Sequence, residues 1–142
     1  MRWTDLDADE LELLRRAREA RRHAHAPYSG FKVGAAVQAR DGSVHAGCNV
    51  ENASLGAAIC AERGAMMQAV AGGMRRGQLA RVAVYTRDQE PTAPCGICLQ
   101  FLVEFGRNPI VYLANARRIE KTTLRQLLPR PFTTIPARKR DA

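Results

Sequence analysis

Cys60-Ala61-Glu62, followed downstream by Pro94-Cys95-Gly96-Ile97-Cys98, sets three thiols and one carboxylate in an order that can do chemistry. Thiolates bind zinc strongly. A closed structural zinc site takes four protein ligands, whereas a catalytic one takes three and leaves a position for water. The pattern therefore points to an open zinc centre, with Cys60, Cys95 and Cys98 as ligands and Glu62 free to move protons. A lone Cys-x-x-Cys also fits a zinc knuckle or a redox pair. The Cys60-x-Glu62 pair upstream and Pro94 directly ahead of Cys95 argue against both. The fourth thiol, Cys48, falls in a strand pattern well before Cys60 and reads as a buried, inert cysteine. His23 and His25 close the first helix, where imidazolium suits the helix dipole, and His45 reads as a strand residue; none is assigned to the metal.

Three thiolates give such a centre a net negative charge, which weakens its power to acidify water. Arg63, next to Glu62, is placed to donate hydrogen bonds to a ligand sulfur and offset that charge. Helix N-termini pointing at the sulfurs would each add roughly 0.3–1 kcal/mol. Glu62 would then take a proton from water and pass it to the substrate and its leaving group, a service of about 10² to 10⁴ in rate.

The elements that must position these residues follow from periodicity. Residues 4–24 read as a helix: Leu6, Leu13, Leu14, Ala17 and Ala20 form an apolar stripe behind an acidic first turn, and Pro27 and Gly30 end it. Residues 31–39 and 44–50 read as two strands joined at Asp41-Gly42. Residues 57–71 form a helix that Gly72-Gly73 stops, 81–86 a buried strand, and 95–105 a second helix after a loop. Asn108-Pro109 breaks that helix before a strand at 110–114, and a last short helix covers 123–128. This order implies one mixed sheet with helices on both faces. Both cysteine motifs fall at helix starts, where partial positive charge favours thiolates.

A chain of 142 residues is one domain, with an ordinary hydrophobic content of 46%. No apolar run reaches the length of a membrane span, and the charged N-terminal stretch lacks a signal-peptide pattern, so a cytoplasmic location is expected. The net charge of +8 raises the question of nucleic acid. The arginines are scattered, however, and aromatics make up only 6%, so a solvated Arg-rich surface is the better reading. The basic end of the chain, residues 133–142, is expected to be a flexible tail.

With these residues in view, the chain resembles the zinc-dependent cytidine deaminases, the small class acting on free nucleosides. The blocks that carry the resemblance are Ala26-Pro27-Tyr28-Ser29-Gly30-Phe31-Lys32-Val33-Gly34-Ala35-Ala36, Gly47-Cys48-Asn49-Val50-Glu51-Asn52-Ala53-Ser54, Cys60-Ala61-Glu62-Arg63 and Pro94-Cys95-Gly96-Ile97-Cys98. Leu127-Leu128-Pro129 with Phe132 also fits, so nearly the whole length is covered.

The resemblance implies a three-layer α/β/α sandwich with a mixed five-stranded sheet. It also implies one zinc per subunit and a homotetramer whose active sites lie at subunit interfaces. Asn49 and Glu51 match the positions that hold the ribose 3′-hydroxyl, Phe31 an aromatic wall of the pyrimidine pocket, and the backbone around Ala61 the base's polar edge. Phe132 would stack on a base in a neighbouring site, and Gln100 is retained beside the last ligand in support. The plainer reading of Phe31 and Phe132 is core packing.

Leu55 stands where the family usually has Tyr, and Leu99 where it usually has Arg. Neither change touches zinc or Glu62, and together they suggest a relaxed or shifted preference among cytosine nucleosides. Three rival readings differ in class. A deaminase of cytosine-containing antibiotics of the blasticidin type shares both cysteine motifs, but the intact Asn49-Val50-Glu51 block argues for a sugar. A polynucleotide deaminase typically has His in place of Cys60. A non-catalytic zinc module would be indifferent to Glu62→Gln.

Overall fold

The computed structural model describes residues 1–135. Helix α1 (Ala8–Arg21) starts later than its apolar stripe suggests. Asp7 caps it, accepting from the Glu10 backbone while Glu10 accepts from the Asp7 backbone, and Trp3–Asp5 forms a separate short turn. Strands β1 (Gly34–Ala39) and β2 (Val44–Cys48) form the expected hairpin, both shorter than the pattern indicates. Residues 31–33 are held by side-chain bonds from Asn49 and do not join the sheet.

Helix α2 (Ala61–Ala71) begins four residues later than expected, because Ile59 pairs with Val50 in an isolated bridge that keeps the preceding segment extended. Strand β3 (Leu79–Tyr85), helix α3 (Gly96–Val103) and strand β4 (Ile110–Ala114) fall where the pattern puts them. Strand β5 (Ile119–Thr123) was not read from the sequence: its Ile-Glu-Lys-Thr-Thr is a half-exposed edge whose apolar signal is a single residue. Helix α4 (Leu124–Leu127) follows directly, capped by Thr123.

The sheet order is β2-β1-β3-β4-β5, with β3 and β4 parallel and every other pair antiparallel. A parallel pair needs a crossover, and α3 supplies it. Alternation along the strands divides two cores. Ala36, Ala83, Tyr85, Tyr112 and Ala114 pack against Leu13, Leu14 and Ala17 of α1. Ala35, Val37, Val82, Val84, Val111 and Leu113 face Ala65, Met66 and Ala69 of α2 and Leu99 and Leu102 of α3. The result is the three-layer α/β/α sandwich with a mixed five-stranded sheet. Gly47 lets α2 sit hard against β2: a Cβ there would lie 2.3 Å from the Ala65 nitrogen. The expected flexible tail falls largely on residues 136–142, outside the described residues, and 133–135 have no regular structure.

Candidate active site

Cys60 and Cys95 are the residues immediately before α2 and α3, each extended in backbone, and Cys98 lies in the first turn of α3. The crossover therefore brings two helix N-termini together. The three Sγ atoms lie within 4.8 Å of one another, and Cys60 Sγ is 3.8 Å from Cys95 Sγ. Tetrahedral zinc with bonds of about 2.3 Å separates its sulfurs by about 3.8 Å. Donor set and spacing thus fit zinc, with Cys60, Cys95 and Cys98 as its holders.

Arg63 donates to Cys60 Sγ at 3.7 Å and to the Ala58 carbonyl at 3.4 Å, so it touches a ligand sulfur as its position predicts. Hydrogen bonding from Cys98, then from Arg63 and Cys95, pulls the Cys60 thiol down to about 5 against the opposing effect of burial. Cys98 is pushed up, first by its bond with Cys60 and then by burial and Glu62. Metal ligation would deprotonate all three thiols.

Glu62, in the first turn of α2, is 4% exposed, and burial raises its carboxyl above the ordinary carboxylate range. Its side chain meets Cys98, which places it at the thiols. Ala61 is fully buried at the first position of α2, where a backbone N–H has no partner within the helix.

Asn49 and Glu51 stand two residues apart in the extended segment after β2, and both turn to the loop that precedes β1. Asn49 accepts from the Val33 nitrogen and donates to the Phe31 carbonyl, both at 2.8 Å. Glu51 accepts from the Tyr28 nitrogen, the Ser29 nitrogen and the Ser29 hydroxyl. Those bonds, led by the Ser29 hydroxyl, hold its carboxyl below the ordinary range. Gly30, at φ +69°, lets the loop turn. Ser29 was missed as a site residue, although a hydroxyl two residues ahead of the backbone N–H it accepts from is a known turn signature.

Phe31 is 40% exposed and Phe132 is 64% exposed, so neither is a core residue. Gln100 brackets the Phe132 backbone, donating to its carbonyl and accepting from its nitrogen. Gln100 thus fixes the backbone at Phe132. Leu55 is 80% exposed in the short helical turn Leu55–Ala57, while Leu99 is buried among core residues.

Residues 7–114 match the family described as the cytidine and deoxycytidylate deaminase zinc-binding region. The chain belongs to the cytidine deaminase family. A cytidine deaminase of Sporosarcina psychrophila is 42% identical over 128 residues, covering 88% of this chain and 92% of the relative. The crystal structure of a cytidine deaminase from Burkholderia pseudomallei is 46% identical, with a TM-score of 0.82 over 85% of this chain and 97% of that one. That from Mycobacterium tuberculosis is 36% identical, with a TM-score of 0.75 over 90% and 100%. Family membership makes zinc the metal of the three-cysteine cluster. Among the described residues no helix is long and apolar enough to cross a membrane.

Proposed function

We propose that this protein hydrolyses cytidine, 2′-deoxycytidine or a closely related cytosine nucleoside to the uridine form and ammonia, as a cytoplasmic zinc enzyme of pyrimidine salvage. The observation that carries this reading is the buried Glu62 carboxyl beside three thiols gathered at two helix N-termini.

Zinc, when bound, supplies the Lewis acidity that makes water a nucleophile near neutral pH. Cys60, Cys95 and Cys98 would hold the metal, and Glu62 would take a proton from the water that adds to C4 and deliver it to ring N3. A second proton, from the new C4 hydroxyl, would pass through Glu62 to the amino nitrogen, so that the C4–N4 bond breaks, C4 becomes a carbonyl and ammonia leaves. A carboxyl raised by burial suits this traffic, since it holds and releases a proton nearer to neutrality than an exposed one. Arg63 keeps positive charge against Cys60 throughout. The unpartnered N–H groups at the start of α2, next to Ala61, meet the polar edge of the base.

Asn49 and Glu51 take the ribose hydroxyl and Phe31 walls the base. A homotetramer with shared sites is supported by exposed apolar side chains, Leu55, Ile97 and Phe132, which are 80%, 65% and 64% exposed. Phe132 then reaches a neighbouring base. Leu55 offers no hydroxyl, which supports a preference shifted towards modified cytidines; the burial of Leu99 leaves that role to Leu55.

The test is the ultraviolet absorbance change when zinc-loaded protein meets cytidine, deoxycytidine and base-modified analogues, with Glu62→Gln alongside. Conversion lost in the variant supports the reading. An unchanged rate in Glu62→Gln, or no conversion of any cytosine nucleoside with zinc bound, sinks it.

A further inference from the structure

A count of hydrogen-bonding capacity at Asn49 and Glu51 singles out a third residue. A carboxylate offers about four acceptor sites. On Glu51, Oε1 accepts from the Tyr28 nitrogen at 2.9 Å and the Ser29 nitrogen at 3.1 Å, and Oε2 accepts from Ser29 Oγ at 2.5 Å. One acceptor site is left, on Oε2. Asn49 spends one N–H on the Phe31 carbonyl, which leaves it a single N–H to give. A hydroxyl both donates and accepts, so one free acceptor on Glu51 and one free donor on Asn49, two residues away in the chain, can together serve one hydroxyl.

Ser29 limits the pair to that one hydroxyl. Its hydroxyl occupies the competing acceptor site and ties the Glu51 carboxylate to the loop. It also accepts from the Phe31 nitrogen at 3.0 Å, so one side chain couples the carboxylate to the backbone of the aromatic wall. We propose that Ser29 is a positioning and specificity-determining residue, which orients Glu51 and leaves it able to accept from one substrate hydroxyl only. This rests on the reading of Asn49 and Glu51 as the sugar-binding pair.

The experiment compares kcat/KM for cytidine with that for 3′-deoxycytidine, which lacks only the 3′-hydroxyl, in wild type, Ser29→Ala and Ser29→Thr, all zinc-loaded. The expected result is a wild type that prefers cytidine and a Ser29→Ala whose preference falls about tenfold, the worth of one hydrogen bond to a charged group, mostly through a higher KM for cytidine. Ser29→Thr restores the preference because it keeps the hydroxyl. Should Ser29→Ala fail to fold, Ser29→Cys keeps the volume with a far weaker donor and answers the same question. An equal loss on both substrates would mean a merely structural serine, and an unchanged ratio an idle one; either overturns the proposal. A wild type without preference overturns the sugar-binding reading itself, and the proposal with it.

Discussion

Glu62 is 4% exposed and burial raises its carboxyl, whereas Glu51 accepts bonds at an exposed loop and Ser29 holds its carboxyl low. One sits beside three sulfurs at the start of α2; the other is clasped by the turn that carries Phe31. A group that must gain and lose a proton is kept where its charged form is costly. A group that must only accept a hydrogen bond is kept charged by donors around it. Under the proposed reading, local environment divides chemistry at Glu62 from recognition at Glu51.

Exchanging each carboxylate for its amide tests that division. Glu62→Gln is expected to cut kcat by about 10² to 10⁴ while zinc stays bound, as measured by turnover and metal content. Equal losses in kcat and kcat/KM for Glu62→Gln, with zinc retained, would sharpen the comparison; loss of zinc would break it, by making Glu62 a ligand. Arg63→Ala removes the donor to Cys60 and should lower zinc affinity or activity about 10- to 100-fold, read by competition with a chelator. Glu51→Gln should instead raise the KM for cytidine about tenfold and leave most of kcat. A kcat collapse of Glu62 size would erase the distinction between the two ends.

The smallest effect lies on the far face of the sheet and concerns folding. Burial alone would raise the Glu10 carboxyl, but bonds from Tyr112 at 2.9 Å, the Asp7 backbone and Lys121 at 3.2 Å win and hold it below its ordinary 4.5. A carboxyl lowered by folding stabilises fully above its unfolded value, and that contribution is lost as pH falls through the folded one. Denaturation below about pH 4.5 should therefore be steeper in wild type than in Glu10→Gln. Tyr112→Phe should cost about 1–3 kcal/mol of stability at neutral pH with activity retained, measured by urea unfolding. Loss of turnover there would tie the far face to the site.

Much of the metal end was legible because it is local. Helix starts are signalled by short patterns, and Cys60, Glu62, Arg63, Cys95 and Cys98 each lie within a few residues of one. The recognition end was legible only in part. Asn49 and Glu51 came from resemblance to a family, and their bonds to Val33, Phe31, Tyr28 and Ser29 join segments distant along the chain. The strand at Ile119–Thr123 went unread because an exposed edge keeps no apolar alternation. The hold of Gln100 on Phe132 likewise joins residues far apart, which no periodicity records.

What the sequence determined by itself is the inventory of chemistry. Residue types and spacing put three thiols and a carboxylate near helix starts, although the exact start of α2 depends on the pairing of Ile59 with Val50. What the tertiary structure decided is every distance between the two motifs. The parallel pairing of β3 with β4 forces α3 to cross back over the sheet, and that crossover sets Cys60 Sγ 3.8 Å from Cys95 Sγ. It also decided the two proton affinities. Burial and donors act through space, and the same glutamate side chain has its carboxyl raised at position 62 and lowered at 51.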